Sequence, residues 1–130
     1  MGAKRILIVD DDAMVRRVLM DMLRPEGYAL IEADNGKAAT QMAAETHIDL
    51  VITDLVMPEQ EGIETIHLLR KRSPDLKILA MSGAFGGEFL TMVAHLGADG
   101  TLSKPLRYKE VLKAVRMALG IEAPGAPKQS

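Results

Sequence analysis

Short apolar runs and helix-spaced segments alternate five times along this 130-residue chain, and that alternation leaves few folds open. Ile6-Leu7-Ile8-Val9 is followed by Val15, Val18, Leu19, Met22 and Leu23, a single helical stripe. Pro25-Glu26-Gly27 stops that helix. Residues 28–33 predict a short second strand, and residues 36 to 46 an alanine-rich helix. The third strand, 49–53, is apolar at both parities, as a strand covered on both faces must be. A helix over 63–72 is closed by Ser73-Pro74 and leads to a fourth strand at 76–81. Phe89, Val93 and Leu96 mark another helical face, with Gly97 as its C-cap candidate. A last strand at 101–103 precedes a stripe of Tyr108, Val111, Leu112, Val115 and Leu119. Strand then helix, repeated with short connections, implies a parallel sheet wrapped on both faces by right-handed crossovers.

Four of the strands run into polar side chains. The first ends on Asp10-Asp11-Asp12, the third on Asp54, the fourth on Ser82, and the last on Lys104-Pro105. In a parallel sheet these groups emerge together at the carboxyl edge, where open α/β sheets bind ligands. Three carboxylates, a hydroxyl and an ammonium on one rim suit a divalent cation and a transferable phosphoryl group.

Adjacent carboxylates such as Asp10 and Asp11 repel unless a cation lies between them. Mg²⁺ fits, because it takes oxygen ligands, needs only one or two carboxylates, and leaves positions for water and phosphate. The triplet serves equally well as a turn and helix N-cap, a role for which Asp12 is placed. Asp54 is harder to assign to capping, since it ends a buried strand and precedes the loop Leu55-Val56-Met57-Pro58. A carboxylate there can attack phosphorus and form an acyl phosphate. Ser82 before Gly83 is ordinary turn chemistry taken alone, whereas Lys-Pro after a strand fixes a cation at the rim.

Position 56 separates two chemistries. Aspartyl-phosphate hydrolases of the haloacid dehalogenase type carry a second aspartate two residues after the nucleophile, and here that residue is Val56. Without a base to activate water, an acyl phosphate persists, which favours a switch over a phosphatase.

The run 6–12, Asp54 with Met57-Pro58 and Gly62, Ser82, and Lys104-Pro105 together resemble the receiver domain of two-component response regulators, over about residues 4 to 120. The resemblance implies a single doubly wound five-stranded sheet of flavodoxin-like order 2-1-3-4-5 with five helices. It further implies that Asp54 accepts a phosphoryl group from a sensor histidine kinase or a histidine phosphotransfer protein. Asp11, Asp54 and the carbonyl of Val56 would bind Mg²⁺ directly, with Asp10 acting through water. Ser82 would hydrogen-bond the phosphoryl group and Lys104 would pair with it. On this reading the chain is a switch that catalyses only its own phosphoryl transfer and slow self-dephosphorylation. Two positions depart from the family pattern. Thr101 stands where an aromatic residue usually lies three residues before the lysine, and Leu106 replaces a frequent aromatic after Lys-Pro. Coupling is therefore expected from the glycine-rich segment 83–87 rather than from a rotating ring.

Composition supports a single soluble domain. The chain has 48% hydrophobic and 26% charged residues, a net charge of -2 and no cysteine, which excludes disulfides and thiolate sites. That charge leaves no footprint for nucleic acid, and no apolar stretch is long enough for a membrane span. Met1-Gly2-Ala3-Lys4-Arg5 leads into a strand rather than a signal peptide, so a cytoplasmic protein, monomeric or weakly dimeric, is expected. The receiver unit is placed at residues 1–120, and 121–130 reads as a flexible tail or linker stub. His47, His67 and His95 lack metal-ligand spacing. The nine methionines read as core filling before a partner-binding face. Three rival readings remain: a phosphorylation-independent interaction module, a small Mg²⁺-dependent phosphohydrolase, and a flavin protein. The first is disfavoured by the complete site, the second by Val56, and the third by three aspartates where phosphate-binding residues belong.

Overall fold

The computed structural model describes residues 2–55, 61–83, 95 and 97–121, with the backbone alone at 61 and 62. Five strands, β1 (Arg5–Val9), β2 (Ala29–Ala33), β3 (Leu50–Asp54), β4 (Lys77–Ser82) and β5 (Gly100–Ser103), form one sheet of order β2-β1-β3-β4-β5. All four pairings are parallel. Four α-helices stand among the described residues, where five were expected: α1 (Ala13–Leu23), α2 (Gly36–Glu45), α3 (Glu61–Arg72) and a C-terminal helix (Tyr108–Leu119). The helix expected from Phe89, Val93 and Leu96 falls on residues outside the described ones, as do Val56, Met57-Pro58, most of the 83–87 segment and the tail beyond Ile121.

The two-residue period of the strands divides the core. Leu7, Val9, Val51, Ile78 and Ala80 face one side and pack with Ala39 of α2 and with Ile66 and Leu69 of α3. The intervening residues Ile6, Ile8, Leu50, Ile52, Leu79, Met81 and Leu102 face the other side. There they meet Leu19 and Leu23 of α1 and Val111, Leu112 and Val115 of the C-terminal helix. Both sheet faces are thus covered, which is why the central strands carry apolar residues at every position.

Local chemistry sets the element ends. Asp12 caps α1, its Oδ1 accepting from the Met14 N–H at 2.9 Å, and Asn35 caps α2 by accepting from the Ala38 N–H at 2.8 Å. Past Leu23 the chain makes one 3₁₀ turn over Arg24–Glu26 instead of stopping at once. Gly27 closes that turn at φ 88°, a conformation that disfavours any side chain. At the opposite edge of the sheet, Arg70 binds the carbonyl oxygens of Gly97 (2.6 Å), Pro74 (2.7 Å) and Leu76 (2.6 Å) and the Asp99 carboxylate (2.8 Å). This clasp joins the end of α3 to the segments flanking β4, a link that no local sequence pattern announces.

Candidate functional site

Strand register assembles the site. Val9 pairs with Thr53, so the next residues, Asp10 and Asp54, stand level on adjacent strands. Asp54 pairs with Met81, which puts Ser82 one step further along β4, and Ser82 pairs with Ser103, which is followed by Lys104. After β1 the chain winds to β2 on one side of the sheet, and later reaches β3 on the other. The β1–β3 crevice is therefore the switch point at which such sheets bind ligands.

Asp10 and Asp54 are buried and Asp11 is exposed, and these three residues offer carboxylate oxygens within 4.8 Å of one another. Lys104 Nζ donates to Asp10 Oδ2 and to Asp54 Oδ2, each at 3.1 Å. The other Asp10 oxygen, Oδ1, accepts from the Asp12 N–H at 2.9 Å. Burial pushes the Asp10 carboxyl up, the Asp12 N–H pulls it down and the Asp54 charge raises it again; despite the help of Lys104 its pKa stays above the ordinary value. Burial works against the charge on Lys104, but bonding and attraction from Asp10 and Asp54 outweigh it and raise the lysine pKa. The two directions are compatible, since one ammonium is shared by two carboxylates that also repel each other.

The Ser82 hydroxyl is buried and has no hydrogen-bond partner among the described residues. An orphaned polar atom in a native interior calls for an explanation, and at the strand end beside Asp54 an incoming oxyanion supplies one. Gly83 follows, and a Cβ there would lie 3.1 Å from Lys104 Cβ and 3.5 Å from its Cδ. The bare backbone makes room for the lysine stem on its way to the carboxylates. Taken alone, Ser82-Gly83 reads as turn chemistry; the spatial approach of Lys104 explains the glycine. The Lys104–Pro105 bond is cis, and the Lys104 N–H donates to the Ser82 carbonyl at 2.9 Å.

The site therefore unites Asp10, Asp11, Asp54, Ser82 and Lys104 as the strand ends implied, while Val56 lies outside the described residues. The donor set is all oxygen, without nitrogen or sulfur, and fits Mg²⁺. One contributor was missed. Arg16 on α1 donates from Nη1 to the Asp10 carbonyl at 2.7 Å and from Nε to Glu32 Oε1 at 2.6 Å. Its position in the polar stripe of an amphipathic helix gave no hint of it. The histidines do not converge: His67 and His95 are exposed, and His47 bonds Asp49 at the far edge. Methionines divide, with Met81 in the core and Met14 and Met117 exposed. Thr101 is half-buried on β5, opposite Ala80.

A parallel 2-1-3-4-5 sheet with an acidic cluster, a hydroxyl and a lysine at its carboxyl edge defines a flavodoxin-like domain of the signalling-receiver kind. The profile of the response regulator receiver domain matches residues 6–116, and the chain belongs to that family, the switches of two-component signalling. Chemotaxis protein CheY of Thermotoga maritima is 37% identical over 114 residues, covering 86% of this chain and 94% of CheY. Response regulator receiver protein CpdR of Brucella abortus is 35% identical over 117 residues, covering 89% of this chain and 97% of CpdR. DNA-binding transcriptional regulator NtrC of Azospirillum brasilense is 35% identical over 97% of this chain, which spans only 26% of NtrC. Among solved structures, Vibrio cholerae chemotaxis protein CheY4 superposes with a TM-score of 0.84 at 28% identity, covering 91% of this chain and all of that one. None of the described helices is long and apolar enough to cross a membrane.

Proposed function

We propose that this receiver is a phosphorylation-controlled switch in which Asp54 is the phosphoacceptor. The placement of the buried Asp54 carboxylate at the end of β3, within 4.8 Å of Asp10 and Asp11 and bonded to Lys104, carries the reading. An Asp54 oxygen attacks the phosphorus of a phosphohistidine on a sensor kinase or histidine phosphotransfer protein. The P–N bond breaks as the O–P bond forms, and the imidazole leaves with the electron pair and takes up a proton. Asp11 and Asp54 would hold Mg²⁺ directly, with the Val56 carbonyl completing the set and Asp10 acting through water. Bound there, the ion neutralises charge on the phosphoryl oxygens. Lys104 lets go of Asp54 and pairs with the phosphoryl group, and the Ser82 hydroxyl donates to it.

Asp54 carries the group afterwards, and with valine at position 56 no side chain there activates water, so release is slow. Phosphorylation adds roughly two negative charges. Turning a two-state equilibrium over takes about 5.5 kcal/mol, more than one exposed ion pair supplies. Ser82 and Lys104 must therefore respond together, with further contacts, to signal to a downstream protein. Incubation with acetyl phosphate and Mg²⁺, read by intact mass, should add one phosphoryl group to the parent and none to Asp54→Asn. Equal labelling of the variant would refute the assignment.

A further inference from the structure

Arg16 holds the acidic turn from behind. Its backbone N–H donates to the Asp12 carbonyl at 3.2 Å in the first turn of α1, and its side chain joins the Asp10 carbonyl to Glu32 of β2. On the other side of the same residue, the Asp10 N–H donates to the Ala33 carbonyl at 3.2 Å. Asp10 is thus fastened at both its N–H and its carbonyl, and the side chain of Arg16 is itself only 15% exposed. Three consecutive carboxylates repel one another and tend to splay such a turn apart. A planar guanidinium is suited to resist this, because it donates to two acceptors at fixed angles, as an ammonium does not.

We propose that Arg16 is a positioning residue for the Asp10–Asp11 carboxylates and raises the affinity of the acidic site for Mg²⁺ without touching the ion. The inference rests on the reading of Asp10, Asp11 and Asp54 as a Mg²⁺ site. Its consequence has a sign that electrostatics alone reverses. Removing a cation near a cation site strengthens binding by Coulomb's law, whereas releasing the turn weakens it. Outer partners that orient metal ligands typically contribute 10–100-fold to affinity.

Calorimetric titration with Mg²⁺ of the parent, Arg16→Gln and Arg16→Lys tests this, with the Asp12 amide chemical shift and the urea midpoint followed in parallel. Arg16→Gln is expected to bind Mg²⁺ about tenfold more weakly, with a displaced Asp12 amide resonance. Arg16→Lys, which keeps the charge but not the fork, should fall between that variant and the parent. Binding by Arg16→Gln as tight as the parent or tighter overturns the proposal. If Arg16→Gln does not fold, parent-like affinity in Arg16→Lys overturns it equally, and intermediate affinity supports it. Failure of the parent to bind Mg²⁺ at millimolar concentration overturns the metal reading itself, and the positioning role with it.

Discussion

Replacing Asp10 by asparagine should make the metal-free protein more stable while removing much of what Mg²⁺ adds. The side chain keeps its shape, and its carbonyl oxygen still accepts from the Asp12 N–H at 2.9 Å. What changes is charge. One oxygen each of Asp10, Asp11 and Asp54 lies within 4.8 Å of the other two, a separation at which a like-charge pair costs ~3.5 kcal/mol at an effective dielectric near 20. The 3.1 Å contact with Lys104 returns ~5 kcal/mol on the same scale. Solvent trims the share of the exposed Asp11, and relief from burying a charge adds to the gain. A net stabilisation of about 2 kcal/mol follows, in line with the raised Asp10 pKa. The sign of the pH dependence is set by that direction. A carboxyl whose folded pKa exceeds its unfolded one holds its proton more tightly when folded, so it costs stability as pH rises through that interval. Urea unfolding followed by far-UV circular dichroism, in EDTA and in excess Mg²⁺, measures both effects. In EDTA at pH 7 the Asp10→Asn midpoint should lie above the parent's, and the gap should close as the pH falls and Asp10 protonates. Excess Mg²⁺ should raise the parent more than the variant. An Asp10→Asn protein less stable than the parent in EDTA would refute the account of the site as a strained acidic cluster.

Lys104→Met should leave Mg²⁺ affinity unchanged or improved, because Lys104 competes for the Asp10 and Asp54 oxygens at 3.1 Å; a titration showing large loss would contradict that competition. Arg70→Ala should destabilise the fold by about 2 kcal/mol, since it strips partners from three carbonyls and from Asp99, and urea unfolding reads the loss directly. Burial raises the Asp49 pKa, but the Arg5 N–H at 2.8 Å, with His47 and Lys4, brings it below the ordinary 3.8. Asp49→Ala should therefore cost about 1 kcal/mol at pH 7, a deficit that fades as pH falls below 3.8 and Asp49 protonates in the folded parent.

Much of this protein was legible in the order of its residues, because the signals are local. Apolar residues at both parities in 6–9 and 49–53, each bounded by turn residues, read as strands covered on both faces, and the division of the core into two helical layers follows from a period of two. A polar residue at the end of each such run has to lie on the carboxyl edge, which identified Asp10, Asp11, Asp54, Ser82 and Lys104 before any distance was known. Tertiary structure decided the rest. Pairing of Val9 with Thr53 brings Asp10 level with Asp54, and no local pattern sets that register. The space above Gly83 matters only because Lys104 crosses it, and Arg16 and Arg70 reveal their roles only where distant carbonyls converge on them. The charge state of Asp10 is likewise a property of its surroundings: its pKa reflects burial and a neighbour forty-four residues away in sequence, and Coulomb energy depends on separation in space rather than along the chain.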